Sequence, residues 1–350
     1  MSLTDPQIQY CRTEDGVRIA YFAIGEGLPL VHMPPLPLSH VQMEWQGAAC
    51  RRYYERLAAG RTLVRYDNRG AGLSDRDARD LSLEGHARDL EAVVERLQVD
   101  RVALLGFAHS APAAINFAAR HPQRVSHLIL WCSYANAADY SRGSRVEAAR
   151  SLIDQDWQLY TEMEGYRFSE WAGGDDARWY TDYLRKAVTP EGLRAAFQAI
   201  RRNDASSLLS RIEAPTLVMH RRGLAVLGVD TAKELASSIR DARLHIFDGP
   251  WIAPFLGGTT DAVVATIDGF LAETPPSPTP GAADVSPSVL TPRETEVLRL
   301  IASGRSSSEI SNELSLSIRT VGRHITNLYA KIGARTRADA TAYAIRQRLA

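Results

Sequence analysis

Through the first 270 or so residues, short apolar runs alternate with stretches of helical period. Runs at 17–24, 29–33, 62–66, 101–106, 125–132, 215–220 and 243–247 predict strands. Between two of them, Ser82 is placed to cap a helix over 82–97 whose Leu90, Val93, Val94 and Leu97 form one stripe. Strand–helix alternation with nearly continuous apolar strands predicts a mostly parallel sheet covered on both faces. Residues 134 to about 212 break this rhythm. They lack strand runs and are rich in aromatics, including Trp157, Tyr160, Tyr166, Trp171, Trp179, Tyr180 and Tyr183, which predicts a helical cap over one end of the sheet.

The pattern changes after residue 273. Residues 274–288 hold five of the chain's 17 prolines and almost no large apolar side chain, which predicts a semi-extended tether. Beyond it, the spacing is helical again. Thr291 and Glu294 flank Pro292 as a capping box, followed by Val297, Leu298 and Ile301 and a stop at Gly304. Ser306 and Glu309 form a second capping box, opening a short helix with Ile310 and Leu314 inward. After a tight turn at Ser315 and Leu316, Ser317 caps a third helix with Val321, Ile325, Leu328 and Ile332 on its buried face, and Thr336 caps a fourth running through Arg348. The predicted division is a body at 1–273, a linker at 274–288 and a small all-α domain at 289–350.

The chain has 350 residues, 45% hydrophobic and 23% charged, which excludes a disordered chain, a fibre or a coiled-coil rod. Its 41 basic and 41 acidic side chains balance, but unevenly. Residues 289–350 hold ten Lys+Arg and five Asp+Glu, a net of +5, so the preceding part carries −5. An anionic partner would therefore bind the C-terminal part. No basic segment leads into an apolar run at the start, and no run nears the roughly 18 apolar residues of a membrane helix, so a cytoplasmic protein without a membrane partner is expected. Cys11, Cys50 and Cys132 show no CxxC or histidine spacing, and no GxGxxG or P-loop pattern occurs. The sequence calls for no metal and no cofactor.

Four stretches in order resemble the α/β-hydrolase family: TLVRYDNRGAGLSDR at 62–76, RVALLGFAHSAPAAINFAARHP at 101–122, APTLVMHRRGLAVLGVDTAKELA at 214–236 and HIFDGPWIAPFLGG at 245–258. The resemblance covers about residues 10–273. It implies an α/β fold with a helical cap and a catalytic triad. The triad positions are altered. In the G-x-S-x-G elbow, Ala108 stands where the nucleophilic serine belongs and Ser110 replaces the closing glycine. Leu224 takes the position of the acid and Ile252 that of the histidine. An alanine methyl cannot form an acyl intermediate, and Pro34-Pro35-Leu36 removes backbone donors from the turn that often helps to hold the oxyanion. The body is thus expected not to be an enzyme. A cleft lined by Leu36, Ala108, Leu224 and Ile252, with His40, His109 and Arg221 as polar groups and Trp157, Trp179 and Trp251 as walls, is expected to bind a small, largely apolar or aromatic effector. Two alternatives stand: residual esterase activity through His109, Ser110 or a water, and a body serving only as a dimerisation scaffold.

The C-terminal block resembles the LuxR-type (GerE-like) helix-turn-helix along its length. That implies a third helix in the major groove of double-stranded operator DNA, and dimer contacts from the fourth. Ser317, Arg319, Thr320, Arg323, Thr326, Asn327 and Lys331 are the candidate DNA-binding residues. One departure is Gly322, where the family usually has lysine. The combined expectation is a homodimeric, ligand-responsive DNA-binding regulator.

Overall fold

The computed structural model describes residues 5–140, 144–169, 174–273, 292–314 and 337–346, together with Val321, Ile325 and Leu328. The chain folds into two compact units, Met1–Pro275 and Pro276–Ala350.

The first unit is built on eight strands: β1 (Gln9–Arg12), β2 (Arg18–Ile24), β3 (Leu28–His32), β4 (Arg61–Tyr66), β5 (Val102–Phe107), β6 (Val125–Trp131), β7 (Thr216–Arg221) and β8 (Arg243–Phe247). They lie in the order β1-β2-β4-β3-β5-β6-β7-β8. The pairs β1/β2 and β2/β4 are antiparallel; the rest of the sheet is parallel. Seven strands match the apolar runs to within one residue at each end. The eighth, β1, is a four-residue edge strand with three exposed positions, so it has no apolar run to give it away.

Among the described residues, ten helices complete this unit: α1 (Val41–Gln46), α2 (Ala48–Leu57), α3 (Leu83–Arg96), α4 (Ala111–Arg120), α5 (Ser144–Gln155), α6 (Trp157–Phe168), α7 (Gly174–Ala187), α8 (Pro190–Ile200), α9 (Val229–Ser237) and α10 (Thr260–Leu271). Ser82 caps α3 as expected, its hydroxyl accepting from Gly85 N. One face of the sheet packs on α3, α4 and α9 through residues such as Leu90, Val93, Ile115 and Leu235; the other packs on α1, α2 and α10 through Trp45, Tyr53, Ile267 and Phe270. Helices α5–α8 form the cap, with a core of their own around Ile153, Tyr160, Leu184 and Leu193.

In the second unit, α11 (Pro292–Ala302), α12 (Ser307–Glu313) and α13 (Arg337–Arg346) surround Val297, Leu298, Ile301, Ile310, Val321, Leu328, Ala340 and Ala344. The Ser306–Glu309 capping box is made in both directions: Ser306 Oγ accepts from Glu309 N, and Glu309 Oε2 accepts from Ser306 N. Of the apolar stripe read for the third helix, Val321 and Leu328 are buried and Ile325 partly so, while Ile332 lies outside the described residues. Thr291 and all seven candidate DNA-binding residues lie outside the described residues.

Candidate functional site

The site grows from the end of β5. Gly106 packs closely there: a Cβ would lie 3.0 Å from Ala114 Cβ and 3.2 Å from Ala111 Cα of the following helix, a tight fit that those neighbours would have to relieve by a few tenths of an ångström. The chain then turns sharply: Ala108 has φ +48°, left-handed and unusual for a residue with a side chain, before a short 3₁₀ turn leads into α4. Ser110 holds this turn. Its hydroxyl accepts from Phe107 N at 2.9 Å and donates to Phe107 O at 3.0 Å, so both its donor and an acceptor site are committed to the backbone.

The three residues read from sequence at the triad positions pack on one cluster. Ala108 is buried in the cluster formed by Phe107, Trp131, Cys132 and Phe247, and Leu224 and Ile252 pack against that same cluster. Leu224 also touches the group of Tyr134, Ala137 and Leu227. The loop bearing Ile252 is anchored by Trp131, whose Nε1 donates to Ile252 O at 2.7 Å.

His109 points under the cap. Its Nδ1 is hydrogen-bonded to Tyr134 Oη and its ring lies 4.6 Å from that of Tyr140. Burial, helped by the nearby Arg150 charge, lowers its pKa to about 3, so the imidazole is neutral at physiological pH. The cavity lined by His109, Tyr134, Tyr140, Arg150, Phe197 and Arg201 measures only ≈10 Å³. That is room for about one water molecule.

The remaining pocket candidates are spread out. Leu36 is buried in the loop after β3, and His40 caps α1, its ring 3.5 Å from Met43 N. Burial lowers the pKa of His40. Trp157 stacks on Tyr160 within the cap core, away from the elbow cluster. Trp179 stacks on Tyr183 and covers Gly47, where a Cβ would come within 2.8 Å of the indole. Trp251 lies over Gly249 and Gly257 in the loop after β8. Arg221 is fully buried beneath that loop, its guanidinium 5.3 Å from the Trp131 ring. Cys50 and Cys132 are buried and Cys11 partly so, and burial pushes Cys11 to about 11 and Cys132 to about 12. Among the described residues, no cluster of ligating side chains could hold a metal, and no helix is long and apolar enough to cross a membrane.

Sequence reading missed a buried polar network at the cap–body boundary. Arg65 on β4 donates through Nη2 to Glu44 Oε1 at 2.9 Å and through Nε to Tyr54 Oη at 2.8 Å. Glu44 also accepts from Tyr54 Oη at 2.8 Å and from Tyr183 Oη of the cap at 3.0 Å. The available signal was an arginine inside an apolar strand, which is stable there only with a buried partner.

Residues 46–250 match the family described as alpha/beta hydrolase fold, and residues 288–344 match the bacterial regulatory proteins of the luxR family. The chain belongs to the α/β-hydrolase fold family and carries a LuxR-family module. The AB hydrolase superfamily protein YisY of Bacillus subtilis is 28% identical over 247 residues, 68% of this chain and 90% of YisY. Over the C-terminal module, the transcriptional regulatory protein LiaR of the same species is 47% identical across 60 residues, 17% of this chain and 28% of LiaR. An esterase from Exiguobacterium antarcticum superposes with a TM-score of 0.66 at 23% identity, covering 76% of this chain and 99% of the esterase. Within the α/β-hydrolase fold this chain has a left-handed turn at Ala108, packed in the same apolar cluster as Leu224 and Ile252.

Proposed function

We propose that this protein is a homodimeric DNA-binding transcription regulator whose α/β-hydrolase body has exchanged ester hydrolysis for the binding of a small effector. The observation that carries this reading is the left-handed elbow at Ala108, packed in the same cluster as Leu224 and Ile252. A strained turn persists only where its surroundings over-determine it, so the frame of a hydrolase site is kept while nucleophile, acid and base are gone. Relocation of the chemistry is disfavoured: Ser110 spends its hydroxyl on Phe107, and His109 faces Tyr134 instead of a nucleophile. The effector's apolar part would rest on the Ala108–Leu224–Ile252 surface. Only ≈10 Å³ is open at His109, so an effector reaching that histidine would need the cap to move. That movement would give the differential binding through which an effector shifts DNA affinity.

The same small volume favours a second reading, in which the filled body serves only to bring two DNA-binding modules together. One set of measurements separates these readings. The full chain is incubated with p-nitrophenyl butyrate, and its binding to DNA fragments enriched from a random pool is followed by anisotropy, with and without small aromatic and acyl compounds. No turnover above background, together with an effector-dependent change in DNA affinity, is expected. Turnover would overturn the non-catalytic reading, and tight DNA binding indifferent to every compound would favour the scaffold.

A further inference from the structure

Among the described residues, four arginines of the body are buried, and three have carboxylates. Arg61 pairs with Asp268, Arg65 with Glu44, and Arg69 with both Asp15 and Asp89. Arg221, with no exposed surface, pairs with none among the described residues. Its Nη1 donates to Asp248 O at 3.0 Å, and its Nη2 to Thr259 Oγ1 at 2.7 Å and Leu256 O at 3.4 Å; its Nε is buried without a partner. The side chain of Asp248 is turned to Arg222 instead. Guanidinium stays charged in proteins, so a full positive charge is held here by neutral dipoles and the Trp131 ring alone.

The location adds to the imbalance. Arg221 is the last residue of β7, at the carboxyl edge of the sheet where open α/β folds take their ligands. Thr259 is the N-cap of the twelve-residue α10, and its side chain makes no capping bond. The positive pole of that helix therefore adjoins the guanidinium. Asp261 in the first turn is drawn off by Arg56. Three residues beyond Arg221, the family's acid position holds Leu224, which supplies no charge.

We infer that Arg221 and the N-terminus of α10 form the seat for a carboxylate, and that the effector is a small apolar or aromatic acid. This rests on the reading that the body binds an effector. The acid's apolar part lies toward Leu224 and Ile252, and its carboxylate takes the unused Nε–H and completes the charge balance that each other buried arginine already has. A flat carboxylate suits the guanidinium fork.

Thermal unfolding of the full chain tests this with benzoate and octanoate against benzamide and octanamide at matched ionic strength. The acids should raise Tm by about 5 °C at a hundredfold excess over Kd, and the amides should not. Arg221→Gln should lose the shift. Leu224→Asp, which supplies an internal carboxylate, should raise Tm without ligand and blunt the response to acids. It decides the matter even if Arg221→Gln does not fold. Equal shifts from the amides, a full acid response in Arg221→Gln, or no response to any acid would overturn the seat. Amide and acid binding alike would leave effector binding standing, whereas ester turnover with an intact acid response would overturn the non-catalytic reading alone.

Discussion

Ser110 and Phe107 are tied by two hydrogen bonds, one in each direction between the serine hydroxyl and the phenylalanine backbone. Ser110 thus acts as a brace for the turn. Ser110→Ala should cost about 1–3 kcal/mol, because it leaves buried backbone groups short of a partner. Urea unfolding checks the loss. A catalytic serine would instead show itself as lost turnover at unchanged stability.

Ala108 is the next test. Relief of its left-handed strain by glycine is worth about 1–2 kcal/mol. The lost buried methyl, about 0.8 kcal/mol, and the freer unfolded chain, about 0.4–1 kcal/mol, offset that gain. Ala108→Gly should therefore be neutral within about 1 kcal/mol. Ala108→Val should cost about 3 kcal/mol or more, since a β-branched residue is strained at φ +48° and overfills the cluster. Ala108→Trp should destabilise the body for the same reason. Equal melting temperatures for parent and Ala108→Val would show that the turn is not left-handed.

The Glu44–Arg65 pair should be costly to break and cheap to loosen. Glu44→Gln strands a buried guanidinium and should lose about 3–5 kcal/mol. Tyr183→Phe removes only the cap's bond to Glu44 and should lose about 1.5–3 kcal/mol. Faster hydrogen exchange in α5–α8 than in the sheet would place the second loss in the cap.

Stability should fall on acidification. Burial lowers His32 and His109 to about 3 from a usual 6.5, with the Arg65 and Arg150 charges adding to it respectively. Between those values the unfolded chain binds protons that the native state refuses, so each group costs about 1.4 kcal/mol per pH unit as pH drops. Asp67, raised by burial and the neighbouring Glu44 to about 7, works in the opposite sense: its stabilising contribution is lost as pH rises from 3.8 through 7. Urea midpoints measured from pH 4 to 7 should show a shallower acid limb in His109→Gln and a steeper one in Asp67→Asn.

For the DNA-binding module the expectations come from sequence. Arg323→Ala should weaken operator binding and blur its specificity, whereas Lys331→Ala should reduce the salt slope by about one. Titrations at several salt concentrations separate the two. Operator affinity unchanged in Arg323→Ala would remove that residue from the recognition surface.

Much of the frame was legible because its causes are local. Continuous apolar runs marked seven strands, Ser82 marked a helix start, and the left-handed turn at Ala108 falls where the elbow was read. β1 escaped because an exposed edge strand has no apolar signature. The closeness of the cleft escaped for a different reason: it depends on rings distant in sequence, such as Phe168 stacked 4.0 Å from Tyr180 and meeting Phe255 from the loop after β8. Likewise, Glu44 reads as an ordinary helix-surface carboxylate until Arg65, 21 residues on, is placed beside it.

Gly47 joins α1 to α2, and the indole of Trp179 rests where its side chain would begin. The cap is thus seated on a missing methyl group. Supplying it, in Gly47→Ala, drives a wedge beneath Trp179, and the stack carries the push to Tyr183 and on to Glu44. One added carbon is the smallest crowbar this body offers, and operator binding by that variant reports whether transcriptional control feels the cap lift.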